Sequence, residues 1–207
     1  MFTDDLINKV RRIYSAIDAV EENDLAKFTP KMANSGKQIT ISLDFSDGLD
    51  NEQLSNIAYS LIHNIANLKN PLKKWAANNA KDKNQVDIAF NNSEALKIIQ
   101  DLSNNDKHGY PPRDAGLSGK APKLNNIERF MQLSTGTEAN SSVGVAIPLF
   151  AAQQKPQITT TGSGTAKVVI TGTIIDKDGK PIGDLHTTAL DAIKAWDSVL
   201  INYNIKI

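Results

Sequence analysis

The 207-residue chain contains no cysteine. Disulfides, thiolate metal sites and thiol nucleophiles are therefore excluded, which fits a reducing compartment. No run of about 18 apolar residues occurs, so no membrane-spanning helix is expected. The opening segment MFTDDLINKVRR has no apolar core of signal-peptide length, and the expected location is the cytoplasm. An excess of either charge is also missing: Lys plus Arg and Asp plus Glu both total 23. That balance is not the basic footprint of a dedicated nucleic-acid binder, although a local basic patch stays open. Histidines number only three, so side chains that titrate near neutral pH are scarce.

What is present belongs to an ordinary globular protein, with 40% hydrophobic and 22% charged residues. The length suits one domain, or one domain with an appended subdomain. Leu6, Ile7, Val10, Ile13, Tyr14, Ile17 and Val20 recur at three- and four-residue steps, which predicts an amphipathic helix over 4–22. Ile39, Ile41, Leu43 and Phe45 alternate with polar residues, so a half-buried strand follows. Residues 51–69 keep one face apolar from Leu54 to Leu68 and predict a second helix. Asn70-Pro71 should interrupt or restart it, with Leu72, Trp75 and Ala76 continuing the stripe. NNAKDKNQ reads as a polar connector. Residues 93–108 then form a further helix with Leu96, Ile98, Ile99 and Leu102 on its buried side, capped by Asn92 or Ser93.

GYPPRDAGLSGKAPKLNN, rich in Gly and Pro, predicts a long loop. Past residue 126 the chain turns to Val, Ile and Thr. RFMQLST, SVGVAIPLF, QITTT, TAKVVITGTIID and KPIGDLHTT read as strands, with TGSG and DKDGK as hairpin signals. A last helix over 188–203 closes the chain, with Thr187 or Thr188 as its cap. Helices and strands segregate, so the expected class is α+β. A mainly helical part (1–125, with one early strand) precedes antiparallel strands and a final helix (126–207), together as one compact unit.

The most chemically loaded stretch is NNDKHGYPPRDAG, residues 104–116. If the helix reaches His108, Asn104 and His108 share a face and Lys107 lies on a neighbouring line. Arg113 and Asp114 can fold back from the loop. An imidazolium, an ammonium and an amide can hold a phosphate or carboxylate, or run acid–base chemistry with His108 and Lys107 as the catalytic pair. The plain alternative is that both bases complement the helix dipole and cap its last carbonyls. A working site requires this cluster to face a recess.

Asn104-x-x-Lys107-His108, ending an apolar helix, resembles the N-x-x-K-H element of uncharacterised bacterial proteins with a HEPN-like helical core. SLIHNIANLKNPLKKW is similar to the helix that packs beside that element, and a β-rich stretch closed by a tryptophan-bearing helix is similar too. The resemblance spreads over residues 50–200. It implies Asn104, Lys107 and His108 as a polar site; Arg113, folding back from the loop, completes the expected ligand-binding set, and because helical cores of this kind often pair through helix faces, a homo-oligomer is expected. HEPN ribonucleases carry an arginine separated by four to six residues from the histidine. Here those places hold Asp101, Leu102 and Ser103, none basic. The resemblance therefore carries over a polar site rather than a ribonuclease pair.

Other motifs reduce to structure. His63 falls at the margin of its apolar stripe and reads as a structural histidine, able to approach His108 if the two helices pack. No metal-ligand spacing is present and no cofactor is implied. DKDGKPIGD has glycine directly after its second aspartate, so Asp178-Gly179 reads as a hairpin turn and not a calcium loop. GLSGKAPK lacks the first glycine and the Ser/Thr of a phosphate loop. Three functional readings follow: a module binding a protein or RNA partner through 104–114, a divergent HEPN-type ribonuclease using His108, and a purely structural or oligomerising protein.

Overall fold

The computed structural model describes residues 2–17, 30–34, 39–43, 49–109, 113–134, 142–146, 157–161 and 165–206. The fold is α+β. Its elements run α1 (Phe2–Ile17), β1 (Pro30–Asn34), β2 (Ile39–Leu43), α2 (Asn51–Ala66), α3 (Lys69–Asn78), α4 (Asn84–Asn92), α5 (Glu94–His108), β3 (Lys123–Ser134), β4 (Ser142–Ala146), β5 (Gln157–Thr161), β6 (Thr165–Ile175), β7 (Pro181–Asp184) and α6 (Leu185–Asn202). A short 3-10 turn spans Arg113–Ala115. Among the described residues no helix is long and apolar enough to cross a membrane.

The chain divides into two compact units. One gathers residues 1–17, 51–127 and 170–207. Its core is built from the helical stripes: Leu54, Ala58, Leu61, Ile62 and Ile65 of α2 are buried, as are Leu96, Ile99 and Leu102 of α5. α2 packs on α5, and α6 packs on α4 and α5. Trp196 of α6 lies at the centre, 2% exposed, and its indole N–H donates to the Ile65 carbonyl at 3.2 Å. That bond satisfies a polar group where water cannot. The other unit gathers residues 18–50 and 128–169. Within it β1 pairs antiparallel with β2, Pro30 opposite Leu43, and β4 with β5, Val143 opposite Thr160.

β3, β6 and β7 form a three-stranded sheet in that order. Gly172 lets β3 approach β6 closely, because a Cβ there would stand 2.9 Å from Leu124 and 3.1 Å from the Asn125 carbonyl. DKDGK is the hairpin between β6 and β7: Gly179 takes a left-handed φ of 79°, and the Asp176 carboxylate accepts from the backbone N–H groups of Asp178 and Lys180.

Several expectations shift in detail. Two early strands occur rather than one. β1 opens on a proline, and its composition carries no alternation that would mark a strand. The polar connector ends in an unexpected helix, α4, whose two buried residues are Val86 and Phe90. Pro71 restarts the helix, standing in the first turn of α3 where its missing N–H costs no bond. α6 begins earlier than expected. Asp184, not Thr187 or Thr188, is its N-cap and accepts from the Thr187 N–H at 2.9 Å. Val20, Phe45, the IPLF end of SVGVAIPLF and residues 162–164 of TGSG lie outside the described residues.

Two measurements check this packing. Trp196→Ala should cost about 3–5 kcal/mol in chemical denaturation. Trp196→Phe, which keeps most of the ring but removes the indole bond to the Ile65 carbonyl, an oxygen that also accepts from the Leu68 N–H at 3.3 Å, should cost about 1 kcal/mol. At the α6 cap, burial pushes the Asp184 carboxyl up, but the Thr187 N–H and hydroxyl, His186 and Thr171 outweigh it and hold it below the usual range. A folded value below the unfolded one stabilises the fold above the ordinary carboxylate range, and the effect fades as pH falls through the folded value. Asp184→Ala should therefore cost about 1 kcal/mol at neutral pH, and the difference from wild type should shrink in acid.

Candidate functional site

α5 is the element on which the polar chemistry converges. Ser93 starts it in extended conformation, its hydroxyl accepting from the Leu96 N–H at 3.2 Å. The helix reaches His108 and is closed by Gly109, whose φ of 67° is left-handed and whose N–H donates to the Asn105 carbonyl at 2.8 Å. Closure of the helix thus rests on glycine. Lys107 Nζ instead donates to Asn67 Oδ1, just beyond α2, at 3.0 Å.

One side of α5 meets α2 through a polar seam. His63 Nδ1 lies 2.8 Å from Ser103 Oγ, and Nε2 lies 2.8 Å from Asp106 Oδ2. A carboxylate can only accept, so Nε2 carries a proton, and in the neutral ring Nδ1 accepts from the serine hydroxyl. Tyr59, one turn before His63, stands with its ring centroid 6.2 Å away. Burial, and secondarily the Asp106 charge, raise its phenol above the ordinary value. Serine, histidine and aspartate in a line suggest a hydrolase triad, but Ser103 is 0% exposed. No substrate can reach its hydroxyl, and the line serves as a clasp between two helices. His63 is the structural histidine that its place in the stripe predicts. α2 and α5 do pack together, yet its two ring nitrogens go to Ser103 and Asp106.

The opposite side of α5 holds the loop that follows it. Glu94, Asp101 and Asn105 lie seven and four residues apart, on one line of the helix. Lys120 pairs with Glu94. Asp101, only 1% exposed, accepts from the Leu117 N–H at 2.9 Å, the Ser118 N–H at 2.8 Å and the Ser118 hydroxyl at 2.7 Å. Asn105 Nδ2 donates to the Pro122 carbonyl at 2.8 Å. Gly116 is required twice over: its φ is 76°, and a Cβ would meet the Asp101 carboxylate at 2.6 Å. The start of GLSGKAPK thus wraps the internal carboxylate of Asp101.

The residues expected to form the site are partly brought together. Asn104 is half-buried and accepts from Gln100 at 3.0 Å. Lys107 and His108 are both exposed, one hundred degrees apart around the helix. Lys107 turns to the α2 side, while His108 continues the Glu94–Asp101–Asn105 line. Both stand at the surface. The backbone of Arg113 is in the 3-10 turn, and its side chain lies outside the described residues. Asp114 is exposed with a left-handed φ of 54°. Sequence reasoning missed Asp101 and the clasp. The signal for Asp101 was a carboxylate on a helix face shared with Ile98, followed by a loop rich in small hydrogen-bond donors. Among the described residues no group of three or more His, Cys, Asp or Glu could hold a metal ion.

Asp101→Asn tests the loop anchor. An amide replaces one accepting oxygen with donors, set against donors already aimed at it. The variant should lose about 2–4 kcal/mol, and the amides of Leu117 and Ser118 should lose hydrogen-exchange protection before those of α2. His63→Phe keeps a ring but leaves the buried Ser103 hydroxyl and Asp106 without it, at a cost of about 1–2 kcal/mol.

No family model matches the chain, and no match was found among curated proteins or solved structures.

Proposed function

We propose that this chain is a HEPN-like helical module that binds a protein partner through the 104–114 region, with Lys107 and His108 receiving a carboxylate or phosphate on that partner. The observation that carries the reading is the closure of α5 by Gly109. The glycine stops the helix by its left-handed backbone, and the Lys107 ammonium reaches Asn67 instead of a terminal carbonyl. The exposure of both supports contact with something large. Asn67 takes one hydrogen bond from Lys107, and an ammonium has three donors, so capacity for a ligand oxygen remains. The α2–α5 clasp holds the terminal turn in place, so little ordering is required on binding. The helix dipole opposes an anion here, but its half charge is smaller than the full charge of Lys107.

A balanced charge of 23 against 23 favours a protein over RNA. A ribonuclease role lacks the arginine that the HEPN enzymes use, and the exposure of His108 leaves it without the enclosed setting that strengthens acid–base chemistry. The test is an NMR titration of the full chain with an acidic octapeptide, with and without phosphoserine, and with a single-stranded oligoribonucleotide. The peptide should shift the amides of 104–109, weakly and less so in high salt. Lys107→Glu should weaken binding about fivefold or more at low salt. Absence of shifts in that turn would overturn the reading, and RNA cleavage lost in His108→Ala would replace it with the nuclease.

A further inference from the structure

Away from the end of α5, α3 and α4 meet across a cluster whose charges do not cancel, within a single unit of the chain. Lys69 and Lys73 lie one turn apart on α3, and both reach the same carboxylate on α4. Lys69 Nζ stands 3.2 Å from Asp87 Oδ1, and Lys73 Nζ stands 2.6 Å from Asp87 Oδ2. Hydrogen bonds from Lys73 and then Lys69 hold the Asp87 carboxyl below the usual range, so it is ionised at neutral pH. Asp82, the other acid of this helical hairpin, turns its carboxylate to the Asn84 N–H at 3.0 Å. Among the described residues, two ammoniums thus face one carboxylate, and one positive charge is uncompensated.

The pair is fixed in place without a ligand. Lys69 Nζ sits 3.9 Å from the centroid of the Phe90 ring, and Phe90 stacks on Trp196 with centroids 6.4 Å apart. Both rings are buried, so the ammonium rests on a floor that belongs to the core. The lysine side chains keep 28% and 33% of their surface open to solvent. Pinned cations lose little freedom when an anion arrives. Asp87 also shows what the pair fits: one anion, with one oxygen to each ammonium. Each ammonium has three donors and gives one to Asp87, and a further donor of Lys69 faces the ring. Three donors remain. They match the three terminal oxygens of a phosphate better than the two of a carboxylate, and charge-assisted bonds to a doubly charged group are the stronger. We propose that Lys69 and Lys73 form a binding site for a terminal phosphate, free or carried as a monoester, held from the solvent side as Asp87 is held from the protein side.

The probes are inorganic phosphate, acetate, and an acidic octapeptide with and without phosphoserine, at matched low ionic strength and above neutral pH, where phosphate is mostly doubly charged. In an NMR titration of the full chain, phosphate should shift the amides around Lys69, Lys73 and Asp87 with a Kd of about 1–5 mM, as a ligand of so few heavy atoms allows. Acetate should bind the same residues about fivefold more weakly. Lys73→Met should weaken phosphate about fivefold or more. Lys194→Met, on α6 and paired with Asp191, should leave it unchanged. A phosphoserine peptide that outcompetes inorganic phosphate here would assign the group to a polypeptide, and the reverse order would assign it to free phosphate or a small ester. Equal affinity for phosphate and acetate, unchanged phosphate binding in Lys73→Met, or no shift at these residues up to about 50 mM phosphate would each overturn the site. Shifts confined to 104–109 would locate the anion at the end of α5 alone and would also overturn it.

Discussion

The pairing of α2 with α5 is the constraint from which the rest follows. Apolar stripes on both helices supply the driving force, but stripes alone tolerate sliding by a turn. His63 fixes the register, because Ser103 and Asp106 lie one turn apart on α5 and both must reach the same ring. A shift of α5 along α2 would strand a buried hydroxyl and leave the imidazole without its carboxylate, a penalty of about 1–3 kcal/mol for each orphaned group. Trp196 then ties α6 to α2 through the carbonyl of Ile65.

Much of this was legible in the sequence where one periodicity acted alone. α2 and α5 carry about four and two turns of apolar spacing, and Ser93 and Gly109 punctuate α5 by well-understood backbone chemistry. The DKDGK hairpin was equally plain. Legibility failed where a segment was short or its neighbours decided its fate. Val86 and Phe90 are one turn apart, too brief a pattern to set a helix against the polar run before it. Asp184 was read as part of a strand segment, because nothing local marks where β7 gives way to α6.

The candidate site was legible in identity but not in arrangement. Asn104, Lys107 and His108 were found because amide, ammonium and imidazole crowd five positions. Their spacing told which share a face, yet not what each face would meet. The structure gives one face to α2 and another to the returning loop, and so separates Lys107 from His108. Asp101 escaped notice for a related reason: a carboxylate inside an apolar helix looks like an exposed position until the loop that neutralises it is placed.

Ser93 has one further consequence. It ends α4 and begins α5, so a single residue forms the whole joint between two helices. Such a joint has no slack to absorb a change in length. One residue inserted inside α5 between this joint and the His63 clasp would turn everything downstream by about 100°. The face bearing Ser103 would no longer present itself to α2, and the loop-binding line would swing toward the core. The joint therefore acts as an indexing tooth, and natural length variation should be admitted beyond Gly109 and refused between residues 93 and 106.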